Sequence, residues 1–179
     1  IADHANGVDG ITWDTTTRPD RSALLTPSEL RQALSAITDN GVRPLDILHY
    51  DACSYALLEN AQLAAGLVRY VIASQNTAWG AFLYDQYRNA VGSNTSPGVL
   101  ARAIGQRYAA FVTQRQWPHT ISVLDLSRMD RTIRALNDFA AALKAFASES
   151  QANRNLLNSL RSQSQKCDSG GQPWLAITE

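Results

Sequence analysis

The sequence predicts an α/β fold: a mostly parallel sheet flanked by helices on both faces. Three observations carry that expectation. The run Leu45-Asp46-Ile47-Leu48-His49-Tyr50 is short and largely apolar, as in a strand buried within a parallel sheet, and it stops at Asp51-Ala52-Cys53. A helix-compatible segment from Tyr55 to Ala65 follows, and Arg69-Tyr70-Val71-Ile72-Ala73-Ser74 reads as the next strand. Strand, helix and strand at this spacing form one right-handed βαβ unit.

The remaining elements follow from local signals. Ile1-Ala2-Asp3 reads as the tail of a strand, and Asp3-His4-Ala5-Asn6-Gly7 has turn chemistry. The polar stretch from Asp14 to Arg21 is expected to be an exposed loop. Thr26-Pro27-Ser28-Glu29 starts a helix, with an N-cap Thr, a first-turn Pro and a Glu three positions after the cap. Leu30, Leu34 and Ile37 form its apolar face, and Asn40-Gly41 ends it. Gln75 to Gly80 is a loop at the same sheet edge as Cys53 and carries Trp79.

A short helix is expected from Tyr84 to Val91, closed by Gly92-Ser93-Asn94. A longer one starts at Ser96-Pro97, with Leu100, Ile104, Tyr108, Phe111 and Val112 near helical spacing. Thr120 to Leu126 alternates as a strand does. Ser127 and Asp130 cap a helix carrying Met129, Ile133, Leu136, Ala140, Leu143 and Ala147. Ser148 to Lys166 is polar but helix-compatible, Asp168-Ser169-Gly170-Gly171 is loop-like, and Trp174 to Thr178 resembles a strand beginning. Residues 1–179 are expected to form a single domain, cut or processed at both ends.

Composition narrows the function classes. The chain has 179 residues, with 16 Lys plus Arg balancing 16 Asp plus Glu, so no global field points to nucleic acid or an anionic membrane. No apolar run reaches the ~20 residues that a membrane span needs. The two cysteines, Cys53 and Cys167, are too few for a disulfide scaffold. Cys167 lies in a polar tail and reads as a bystander. Three His and two separated Cys offer no metal-ligand spacing, and no phosphate-binding Gly loop is present. His119 reads as structural and His49 as a core histidine.

The chemistry gathers at the carboxyl edge of the strands, where open α/β sheets place their sites. Cys53 stands there, and if it opens the following helix, the macrodipole and free N–H groups favour its thiolate. His4 also follows a strand end. If the two strands are parallel neighbours, His4 and Cys53 meet at one edge, and their separation of 49 residues matches the His-to-Cys spacing of caspases. Such a pair suits nucleophilic catalysis, since the imidazole takes the thiol proton and the thiolate attacks a carbonyl carbon.

His4-Ala5-Asn6-Gly7 with Asp14, then Leu45-Asp46-Ile47 and Asp51-Ala52-Cys53, then Val71-Ile72-Ala73-Ser74 with Trp79-Gly80 and Tyr84-Asp85, and finally Val123-Leu124-Asp125-Leu126-Ser127, appear in an ordered series. That series resembles the clostripain family of cysteine peptidases, in the clan of caspases, gingipains and legumains. The resemblance covers His4 to about Ala147. It implies a caspase-like three-layer fold with Cys53 as nucleophile and His4 as general acid/base. The oxyanion donors would be the backbone N–H groups of Ala5 and Cys53. Asp51 would line the S1 pocket and pair with an Arg or Lys of the substrate, and Trp79 would wall the substrate groove.

The resemblance further implies a cysteine endopeptidase acting on peptide or protein substrates, and a bacterial protein that is secreted, periplasmic or cell-surface. Self-cleavage at Arg18 or Arg21 is a further expectation. No cofactor is expected; calcium enters by resemblance alone, since Gln75 stands where the family commonly has an acid. Ala5 replaces a family Gly, which would be strained if that position needs positive φ. The competing class is an inactive peptidase-like domain that binds a peptide or protein partner. A flavodoxin-like binder shares the layout but lacks a phosphate-contacting loop.

Overall fold

The computed structural model describes residues 1–13, 24–80, 83–92 and 95–164. Asp14, Arg18, Arg21, Asn94 and Cys167, with the loop at 168–171 and the strand start at 174–178, lie outside them. The chain divides into two compact units, Ile1–Ser127 and Arg128–Glu179.

The first unit is mixed α/β. A small antiparallel ribbon pairs β1 (Ile11–Trp13) with β2 (Leu24–Leu25). A three-stranded sheet has the order β3 (Leu45–His49), β4 (Val68–Ser74), β5 (Ile121–Asp125). β3 and β4 are parallel, as the βαβ reading requires, whereas β5 runs antiparallel to β4. The sheet is therefore mixed, and "mostly parallel" describes only its β3–β4 pair.

Register decides which side chains share a face. Ile47 lies opposite Tyr70 and Ile72 opposite Val123, so Ile47, Tyr70, Ile72, Ile121 and Val123 share one face. They pack with Leu83, Tyr87, Leu100, Ala101 and Ile104, from or beside α3 (Tyr84–Arg88) and α4 (Pro97–Gln114). Gly105 allows the close approach of α4, because a Cβ there would sit 3.0 Å from Val123. On the opposite side of the pleat, Leu48, Val71 and Ala73 are also buried.

α1 (Pro27–Ile37) buries Leu30 and Leu34 and packs against α2 (Leu58–Ala64), which buries Asn60, Ala61 and Ala64. Its start is the expected one: the Thr26 side chain accepts the Glu29 N–H while Glu29 accepts the Thr26 N–H.

The second unit pairs α5 (Met129–Glu149) with α6 (Gln151–Gln163). Ser150 separates them in extended conformation and caps α6 by accepting the Asn153 N–H. No helix among the described residues is long and apolar enough to cross a membrane.

Candidate active site

The site begins where β3 runs out. Tyr50 continues the strand by donating its N–H to Ile72 O at 2.8 Å. Asp51 then pairs in parallel with Ala2: its N–H donates to Ile1 O at 2.7 Å, and its carbonyl accepts the Asp3 N–H at 3.1 Å. Ile1–Asp3 thus runs beside the end of β3, as the strand-tail reading expected. His4 stands two residues beyond Ala2 and Cys53 two beyond Asp51, so adjacent parallel chains carry both to one sheet edge.

Cys53 sits on a tight turn. Ser54 has φ of +52°, unusual for a residue with a Cβ. Three successive amides fasten the turn to the end of β4: the Ser54 N–H donates to Asn76 O, and those of Tyr55 and Ala56 to Ser74 O, each at 2.9 Å. These bonds keep residues 55–56 outside the helix, and α2 starts only at Leu58, after an extended N-cap, Leu57, that makes no side-chain bond. Cys53 therefore does not open the helix, and the expected helix-dipole help for its sulfur falls away. Its half-exposed sulfur instead lies against Ala78, whose N–H donates to Sγ at 3.3 Å and whose carbonyl is 3.7 Å from Sγ. The buried Tyr50 and Tyr55 rings meet at a tilt of 58° with centroids 4.6 Å apart, and burial pushes the Tyr55 hydroxyl up to about 12.

The loop carrying His4 is a closed turn. Thr12 N–H donates to His4 O, Ala5 bridges antiparallel to Ile11, and Asn6 N–H donates to Gly10 O. Ala5 is not among the residues with positive φ, whereas Gly7, at +57°, is. The loop's special conformation is thus carried two residues later, and Ala in place of the family Gly brings no strain. His4 is exposed, and its backbone N–H meets Asp3 Oδ1 at 2.6 Å. A buried side chain joins this loop to the cysteine turn: Asn60 Nδ2 donates to Gly7 O at 3.2 Å and to Tyr55 O at 3.3 Å.

Asp51 is half-buried, and its Oδ2 accepts the Tyr84 hydroxyl of α3. Burial pushes this carboxyl up while the Tyr84 bond holds it down. Tyr84 packs edge-on against His49 and Tyr87, with ring centroids 6.4 and 5.9 Å away. His49 is itself half-buried, and burial lowers it to about 4, so it is neutral near pH 7. Trp79 follows Ala78 directly. Its N–H donates to the Tyr108 hydroxyl at 2.8 Å, its indole N–H to Pro118 O at 2.6 Å, and its ring lies 5.1 Å from that of Trp117. These contacts fix Trp79 in the loop directly after the residue that meets the sulfur.

Sequence reading missed Ala78, Asn60 and Tyr108, whose residue types carry no chemical signature of their own. Tyr84 was visible as part of a motif, but its bond to Asp51 was not. Among the described residues, no group of three or more His, Cys, Asp or Glu side chains could hold a metal ion.

Comparison with known proteins bears on the fold and the family. The structure is similar to that of a secreted C11 cysteine protease from Bacteroides thetaiotaomicron, solved with an irreversible peptide inhibitor. The two share 20% identity and a TM-score of 0.52, over 84% of this chain and 43% of that one; at this identity the likeness is one of fold. A B. fragilis cysteine protease is also similar at 20% identity, covering 63% of this chain and 48% of that one, with a TM-score of 0.48. This chain spans less than half the length of either structure. No curated protein matches it. The sequence profile of the clostripain family matches residues 1–170, and the chain belongs to that family.

Proposed function

We propose that this chain is the catalytic part of a cysteine endopeptidase that cleaves after Arg or Lys. The observation that carries the reading is the parallel pairing of Ala2 with Asp51, which leads His4 and Cys53 to the same edge in the order the family motif requires. His4 takes the Cys53 proton as sulfur attacks the scissile carbonyl carbon. The tetrahedral oxyanion is held by the backbone N–H groups of Cys53 and Ala5. As the C–N bond breaks, His4 returns the proton to the departing amine and an acyl-thioester remains. Water, deprotonated by His4, then hydrolyses that thioester and restores the thiol.

Asp51, two residues before the nucleophile, receives the basic P1 side chain, and Trp79 walls the groove beside it. The Bacteroides thetaiotaomicron protein, solved with an irreversible peptide inhibitor, supports a peptide-binding role, and that protein's secretion supports an exported one here. The full caspase-like three-layer arrangement and self-cleavage at Arg18 or Arg21 belong to the same reading.

The test is intact mass after exposing the full-length protein to an Arg-directed acyloxymethyl ketone. One adduct on Cys53, absent in Cys53→Ala and slowed at least a hundredfold in His4→Ala, is expected. A folded protein that gains no adduct with Arg, Lys or uncharged P1 ketones refutes the peptidase reading. It favours a peptide-binding domain without turnover.

A further inference from the structure

We infer that Tyr84 is the positioning residue of the S1 subsite, holding the Asp51 carboxylate in the orientation that receives a basic P1 side chain. The inference rests on the reading of Asp51 as the S1 acid and adds the residue that makes that acid effective.

The backbone of Asp51 is already pinned on both sides, its N–H to Ile1 and its carbonyl to Asp3. The remaining freedom lies in the side-chain torsions, and the Tyr84 hydroxyl bound to Oδ2 removes it. The donor is preformed. The Tyr84 ring meets Tyr87 edge-on at 90° and His49 at 61°, and Tyr87 is buried in the core between sheet and α4. A hydroxyl set by ring packing fixes a carboxylate more tightly than a mobile side chain can. Tyr84 nevertheless remains 54% exposed, so the bond to Asp51 lies at the protein surface rather than within the core. A half-buried carboxylate without this donor would adopt alternative rotamers and present its charge less consistently to an incoming cation.

A clamp that merely fastened α3 to the sheet would contribute to stability without discriminating among substrates. The test therefore compares kcat and KM in the full-length protein for matched peptidyl-aminomethylcoumarins with P1 Lys, Arg or norleucine, the last an uncharged analogue of Lys. Tyr84→Phe keeps the ring and its packing while removing the donor. It is expected to raise KM about tenfold for the Lys and Arg substrates and to leave KM for norleucine within twofold. In an Asp51→Asn background the same change should have no further effect on the basic substrates.

An equal loss on all three substrates, or an undiminished effect in the Asp51→Asn background, would overturn the assignment. So would a Tyr84→Phe protein with the parent's preference for Lys and Arg, and that outcome would leave the Asp51 reading standing. A parent enzyme that cleaves norleucine as well as Lys and Arg would remove the Asp51 reading, and this inference with it. Circular dichroism of each variant separates misfolding from lost selectivity.

Discussion

At the scale of residues, the site is held by polar groups whose burial makes them consequential. Asn60 shows this most directly, since one buried amide bonds carbonyls of both the His4 loop and the Cys53 turn. Gly7 and Tyr55 are both buried, so the bond is costly to lose. His49 carries a second consequence of burial. The unfolded chain takes up its proton near pH 6.5, whereas the folded protein resists until about pH 4. Between those values the unfolded state binds more protons, so stability falls with falling pH and levels off below about 4. The loss attributable to His49, which is only half-buried, is expected to be about 2 kcal/mol. Urea unfolding from pH 4 to 7 should show that slope, and His49→Gln should flatten it.

At the scale of elements, the short ribbon β1–β2 matters because it closes the loop that carries His4. Gly10 sits there with φ of +152°, and a Cβ would lie 2.6 Å from Leu25 O, a backbone atom with nowhere to yield. Gly10→Ala is expected to destabilise the protein by roughly 2–3 kcal/mol and to slow labelling of Cys53. Parental stability by chemical denaturation would show that the ribbon does not constrain the loop. This ribbon was illegible in the sequence, because strands of three and two residues are too short to alternate. The start of α1 was legible, since its capping box is a local signal that lies within four consecutive residues, whereas Ile37, expected on its apolar face, is exposed. α2 lay between these cases. Its apolar spacing was readable, but its start was moved to Leu58 by the Tyr55 and Ala56 amides bonding to Ser74, almost twenty residues away.

At the scale of the whole molecule, the two units differ in how they are buried. β4 has five buried residues among seven, whereas α6 has none and α5 only Met129. Leu136, Phe139, Leu143 and Phe146 of α5 are all exposed, as are Leu156 and Leu160 of α6. Protection from hydrogen exchange follows burial and cooperative packing. Amides of α5 and α6 are therefore expected to exchange at least a hundredfold faster than those of β3 and β4 in deuterium-exchange mass spectrometry. Equal protection would mean that other parts of the protein cover this apolar stripe.

The sequence alone determined the βαβ unit, the capped α1 and the order of chemical motifs from His4 through Cys53 to Tyr84. Each depends on residue type at short range: periodicity, capping pairs, and a cysteine after an apolar strand. The tertiary structure alone decided that β5 runs antiparallel and that Cys53 lies on a turn rather than at a helix start. It likewise decided that Ala78 meets Cys53, that Asn60 joins the Cys53 turn to the His4 loop, and that Tyr84 bonds Asp51. These depend on hydrogen bonds between groups far apart in sequence, from 18 residues for Ala56 and Ser74 to 53 for Asn60 and Gly7, made by backbone amides and common side chains that carry no mark of their partners. Local preference names the chemistry, and long-range bonding sets its geometry.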